Sequence, residues 1–187
     1  MPSFTKKAIV DSFLKLLREK QLDKITIKDI VEDCGINRNT FYYHFDDIPA
    51  LVEDILKAET ERVISEHQDM ESWEEGFIAA ADFALDNKKS VYHIYNSVKR
   101  EIFEQYLNNI SRDVMKRFVE QVSEGTGASE EDKALIVEFY KAALTGMVLD
   151  WLGAGMQYDP RQVIRRLGRM LEGEIEAALK RISRPGI

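Results

Sequence analysis

The run Arg38-Asn39-Thr40-Phe41-Tyr42-Tyr43-His44 carries hydrogen-bond donors and aromatic rings with no acid among them. An arginine takes guanine O6 and N7 together and an asparagine pairs with adenine. A tyrosine gives its hydroxyl to a phosphate while its ring meets a thymine methyl. A major groove admits one helix, so a single helix presenting these groups has the chemistry of a DNA reader. Upstream, Thr26 and Lys28 place a hydroxyl and a cation at a helix start, where unpaired N–H groups suit a phosphate. The bland alternative is a solvated polar helix whose two tyrosines merely cover a neighbour. It leaves Tyr42 and Tyr43, beside Arg38 and His44 on a helix too short to be stable alone, without a reason to be exposed.

Those side chains need a scaffold, and the flanking residues specify one. Thr26 can cap a helix, Asp29 can complete the capping box, and Ile25 can staple onto Ile30. Gly35 supplies a left-handed backbone after Cys34, and Asn37 is placed to cap a second helix almost at once. Two short helices joined by so tight a turn form a helix-turn-helix. Ile27, Ile30, Val31, Ile36, Phe41 and Phe45 recur at spacings that bury both against a first helix over 5–20, whose inward stripe is Ile9, Phe13, Leu16 and Leu17. Pro49 fits the first turn of a linking helix over 48–66. Further helical periodicity covers 73–87, 90–98, 101–122, 130–152 and 160–181, with a capping box at Ser129 and Asp132 and a proline start at Asp159-Pro160. No stretch alternates as a strand does. The expectation is an all-α chain of about nine helices, with a helix-turn-helix domain over 1–47 and a helical effector and dimer domain over 48–187.

The segment from Thr26 to Gly35, followed by Asn39-Thr40-Phe41-Tyr42-Tyr43-His44-Phe45, resembles the helix-turn-helix of the TetR family of transcriptional regulators. The resemblance covers about residues 5–66. It implies a homodimer whose two recognition helices enter successive major grooves of a pseudo-palindromic double-stranded operator, repressing until a small-molecule effector binds the C-terminal domain. The alternative is an activator or co-regulator that works through a protein partner, with weak or no DNA binding of its own. Carried over, Lys28, Arg38, Asn39 and Tyr42 approach bases, while Thr26, Thr40, Tyr43 and His44 hold phosphates and Asn37 opens the recognition helix among them. One position departs from the pattern. Ile48, behind Asp46 and Asp47, stands where the family commonly has a lysine that grips a phosphate, leaving that task to Lys6, Lys7 or the helix terminus.

Beyond residue 71 the resemblance is architectural, although Gly146 to Gly153 is similar to a pattern in a subgroup that includes activators of dihydroxyacetone utilisation. No ligand is carried over from it. Rings with polar tips or soft neighbours are the candidate effector contacts: Tyr92, Tyr95, Phe103, Tyr106, Tyr140, Met147 and Trp151. A stripe of aromatics and Met at helical spacing is nevertheless more often core than ligand box. Phe139, Ala143, Gly146 and Leu149 on one long helix, with Ile164, Leu167, Leu171 and Ile175 on the last, suit a four-helix dimer interface, with intramolecular packing as the alternative. His67 and His93 are candidate ligands for a metal or an acidic effector, but lone histidines are usually structural or solvated, and no metal site is expected.

Composition bounds the remaining classes. The 187 residues carry a net charge of −7, which at face value argues against nucleic acid. Residues 1–47, however, hold eight Lys or Arg against eight Asp or Glu, whereas residues 48–187 hold 18 against 25. The surplus acidity therefore belongs to the second domain. One cysteine, Cys34, makes no internal disulfide, and no apolar run approaches the roughly 20 residues of a membrane span or the core of a signal peptide. These features predict a cytoplasmic protein without membrane attachment. No nucleophile motif, metal set or phosphate loop is present, so neither catalysis nor a cofactor is expected.

Overall fold

In α1 (Phe4–Glu19), the spacing of Ile9, Phe13 and Leu17 puts all three on one side, and each is almost wholly buried. A 3₁₀ turn (Leu22–Lys24) leads to α2 (Ile27–Cys34), which packs on α1, and to α3 (Arg38–His44), which packs on α2, with Ile30, Val31 and Phe41 buried. Full burial of a side chain the size of Phe13 or Phe41 contributes roughly 1.5–3 kcal/mol. That sum exceeds what two such short helices could provide by propensity alone. The Ser12 hydroxyl, buried on the same face, donates to the Ile30 carbonyl at 3.2 Å, and Lys15 pairs with Asp33 at 2.5 Å, so α1 holds α2 by polar as well as apolar contacts.

A computed structural model describes residues 4–66, 72–97 and 100–183. After α3 come α4 (Ile48–Glu66), α5 (Trp73–Asp86), α6 (Lys88–Tyr95), α7 (Arg100–Val122), α8 (Glu130–Gly153), α9 (Pro160–Met170) and α10 (Glu174–Ile182). Every regular element among the described residues is helical, as the periodicity predicts. None of these helices is long and apolar enough to cross a membrane.

The chain divides into two compact units, residues 1–61 with 86–106 and residues 62–85 with 107–187. In the first, α6 buries Ser90, Val91, Ile94 and Tyr95 and packs on α1, while Lys6 pairs with Asp54 of α4 at 2.7 Å and lies over the Phe45 ring. In the second, Trp73, Phe77, Val114, Met115, Val119, Val137, Leu144, Ile175 and Leu179 form the core. One buried polar pair joins α7 to α8: the Thr145 hydroxyl donates to Ser111 Oγ at 3.1 Å.

The final helix expected over 160–181 is in fact two, which raises the count to ten α-helices among the described residues. Gly173 has φ +72°, in the left-handed region that a right-handed helix does not pass through, and Glu174 N–H bonds back to the Leu171 carbonyl. Apolar periodicity continues across this break, which is why it conceals it. A second difference concerns α6, expected over 90–98. It starts at Lys88 and ends at Tyr95, where the Asn96 amide donates to the Tyr92 carbonyl and the Ser97 hydroxyl to the Ile94 carbonyl, closing the helix.

Candidate nucleic-acid interface

The start of α2 is fixed by the capping box. The Thr26 hydroxyl oxygen accepts from Asp29 N–H at 3.2 Å, and the Asp29 carboxylate accepts from both the Thr26 N–H and its hydroxyl. Those bonds, the hydroxyl first, with Lys20 alongside, hold the Asp29 carboxyl down to about 2. The Thr26 hydroxyl proton is thus committed to Asp29. This narrows the phosphate role expected of Thr26 to the backbone N–H groups at the helix start. Lys28 is exposed one residue into α2, with Glu32 one turn on at 3.7 Å.

The turn between the helices follows from Gly35, whose φ of +70° admits the sharp exit from α2. Asn37 then caps α3, its side-chain oxygen accepting from the Thr40 N–H at 2.9 Å and the Thr40 hydroxyl at 3.1 Å. Both side chains serve the cap, so Asn37 and Thr40 set the pitch of α3 before they touch anything else. Phe41 is buried beneath, and its ring meets that of Tyr42 edge-on, centroids 5.8 Å apart at 88°. This contact ties an outward ring to the core. Arg38 and Asn39 are exposed, as are Tyr42 at 51% and Tyr43 at 84%. His44 is half-buried, its ring 5.1 Å from that of Tyr43. The structure thus brings Arg38, Asn39, Tyr42 and Tyr43 onto the outer side of a short helix whose inner side is fully packed.

At the start of α4, Asp47 caps the helix, its carboxylate accepting the Ala50 N–H at 2.8 Å, with Ile48 as the first helical residue. An acid therefore occupies the terminus that would otherwise receive a phosphate. Lys6 is engaged by Asp54, whereas Lys7 is exposed. Cys34 is half-buried and burial pushes its thiol up, so it is a poor nucleophile.

The candidate effector rings fall into both units. Tyr92, Tyr95, Phe103 and Tyr106 belong to the first, where Phe103 and Tyr106 stack at 6.0 Å and Arg100 lies 4.3 Å from the Tyr95 ring centre. Tyr140, Met147 and Trp151 belong to the second. The Trp151 indole N–H is given to the Tyr158 carbonyl at 2.9 Å, so its polar handle closes the end of α8. Burial, then Glu174, pushes the Tyr140 hydroxyl up. An open groove of about 400 Å³ on α9, lined by Gln162, Val163, Arg165, Arg166 and Arg169, includes none of these rings.

Of the expected dimer residues, Phe139, Ala143 and Gly146 are exposed on α8 and Leu149 is half-buried. Ile175 is instead part of the core of its own unit, and Ile164, Leu167 and Leu171 pack against that core. The amphipathic stripes of α9 and α10 are consumed by the nearest apolar surface. Sequence reasoning missed Leu135, one turn before Phe139 and equally exposed at 68%, although the continuing i, i+4 spacing marks it. His93, one of the two lone histidines in the sequence reading, has a structural role, its Nδ1 lying 2.7 Å from the Leu17 carbonyl, a partner that residue type does not reveal. His67 lies outside the described residues, among which no cluster of three or more candidate metal ligands occurs.

Comparison with known proteins agrees with this geometry. Residues 9–55 match the family described as bacterial regulatory proteins, tetR family, and residues 71–173 match one described as transcriptional regulator C-terminal region. An uncharacterized HTH-type transcriptional regulator, YxbF of Bacillus subtilis (strain 168), is 26% identical over 57 residues, which are 30% of this chain and 15% of that protein. Among solved structures, the dihydroxyacetone kinase operon activator DhaS superposes with a TM-score of 0.74 at 18% identity, over 93% of this chain and 97% of that one. The fatty acid degradation regulator FadR from Bacillus halodurans does so at 0.61 and 14% identity, over 91% and 96%. NalD, the secondary repressor of the MexAB-OprM multidrug efflux pump in Pseudomonas aeruginosa, gives 0.61 and 14%, over 89% and 94%. At such identities the likeness is one of fold. With two family matches that together span most of its length, the chain belongs to the TetR family of transcriptional regulators.

Proposed function

We propose that the protein binds a pseudo-palindromic DNA operator as a homodimer, acts there as a repressor, and is released when a small molecule binds its helical C-terminal region. The observation that carries the DNA part is the outward face of α3. Arg38 and Asn39 offer donors to base edges, and Tyr42 and Tyr43 offer hydroxyls and rings, on a helix fixed by the Asn37 cap and the Phe41 anchor. The dimer part is supported by the exposed apolar stripe Leu135, Phe139, Ala142, Ala143 and Gly146 along α8, opposite its packed side. Two copies joined there present two α3 helices to half-sites about one turn of DNA apart. Effector release is a population shift between two arrangements of those helices.

The acids Asp46 and Asp47, with Ile48, favour a modest grip on phosphates and a correspondingly large share of specificity from α3. They also motivate the rival reading, an activator or co-regulator that acts through a protein partner. Titrating the full-length protein with its own upstream DNA over a range of salt concentrations separates the two. A phosphate-gripping dimer loses affinity steeply as salt rises. Failure to bind that DNA even at low salt would overturn the operator reading.

A further inference from the structure

The helix α6 lies within the region matched as the C-terminal part of the family, residues 71–173, yet by its packing it belongs to the compact unit that holds the helix-turn-helix. It packs there on α1, and His93 makes a hydrogen bond between the two helices. Leu17 sits in the last turn of α1, where a carbonyl has no partner within the helix, and Leu17 is wholly buried. The His93 Nδ1 lies 2.7 Å from that carbonyl oxygen. A carbonyl has no hydrogen to give, so Nδ1 carries the proton. The bond therefore satisfies a buried helix end that would otherwise be orphaned.

We propose that His93 is a positioning residue for DNA recognition: its Nδ1–H latches α6 to the end of α1 and so holds the helix-turn-helix in its DNA-binding arrangement. The route onward is continuous. From Leu17 it runs along α1 to Ser12, whose hydroxyl donates to the Ile30 carbonyl of α2, and to Lys15, paired with Asp33, and α2 in turn packs on α3, whose Phe41 is wholly buried. With the α1 end held, α3 is ordered before it meets DNA, which lowers the ordering cost of binding. A small molecule that displaces α6 breaks this bond first. The inference rests on the DNA-binding reading above and adds to it the atom through which the C-terminal region acts.

The test uses a duplex selected from a randomised pool by the full-length wild-type protein, and three proteins: wild type, His93→Phe and His93→Asn. Asparagine Nδ2 occupies nearly the place of histidine Nδ1 and restores the donor, whereas phenylalanine keeps the ring and removes it. The latch predicts about tenfold weaker binding by His93→Phe at unchanged helicity, and recovery to within about twofold of wild type by His93→Asn. If His93→Phe does not fold, His93→Gln, which moves the donor one bond outward, is read in its place. Binding by the donor-less variant as tight as wild type, or tighter, overturns the latch. So does equal weakness of His93→Asn, or an imidazole ¹⁵N spectrum placing the proton on Nε2 alone. A wild-type protein that selects no duplex overturns the DNA-binding reading itself, which distinguishes that failure from failure of the latch.

Discussion

Asn37 Oδ1 accepts two bonds from Thr40, its backbone N–H at 2.9 Å and its hydroxyl at 3.1 Å, and this pair begins the recognition helix. A helix of seven residues has little stability of its own, so the cap matters more here than on a long helix. Asn37→Ala should lower the unfolding free energy by about 1 kcal/mol in urea titration, with Asn37→Ser retaining most of it. Equal stability of wild type and Asn37→Ala would contradict the assignment.

Arg38 and Tyr43 differ in what they should cost when removed. Arg38→Ala should weaken binding to the preferred duplex by about 1–3 kcal/mol and relax the preference at one base pair, because the role proposed for its exposed guanidinium is to read a base edge. Tyr43→Ala should weaken all duplexes alike, since a phosphate contact carries no sequence information. Competition binding against a panel of single-base variants checks both. A base preference unchanged by Arg38→Ala would remove it from the reading face.

Phe139, 68% exposed, and Leu135 beside it stand on the proposed subunit interface. Phe139→Glu places a charge where a second copy would pack, on a ring that is exposed and outside the core of its own unit, which it meets only at the edge of Tyr140. Sedimentation should shift from twice the 21.6 kDa chain mass to the chain mass, with helicity unchanged. A dimer that survives both Phe139→Glu and Leu135→Glu would place the interface elsewhere.

The Asp29 carboxyl titrates at about 2 in the folded chain against an ordinary 3.8, held down first by the Thr26 hydroxyl. Its folded value is the lower one, so the stability it contributes is present above 3.8 and is lost as pH falls through 2. Denaturant midpoints measured down this range should fall less steeply for Asp29→Asn than for wild type. An identical acid slope for the two proteins would show that the capping box contributes nothing to the fold.

Local signals in the sequence anticipate the parts of this structure that act within a few residues. The Thr26 and Asp29 capping box, the left-handed Gly35 and the Asn37 cap all form, because each needs only neighbours three or four positions away. Long-range choices are another matter. The apolar stripes of α9 and α10 could have met a second subunit or the core of their own unit, and periodicity is the same in both cases; Ile175 takes the core. His93 reads as a lone histidine because its partner is a backbone carbonyl 76 residues away, and a carbonyl leaves no mark on residue type. The Thr26 hydroxyl illustrates the reverse limit. Sequence reading identified both its possible roles, capping and phosphate contact, and only the geometry shows that the first consumes the hydroxyl proton.

In the proposed function, two copies of α3 read one duplex together. Hydroxyl-radical footprinting of the selected duplex with the full-length protein tests it directly. Two protected windows are expected about 10 base pairs apart, related by the pseudo-twofold of the site, and both weakened together in Arg38→Ala at a protein concentration that just saturates the wild-type footprint. A single protected window, or protection that persists unchanged in Arg38→Ala, would contradict it.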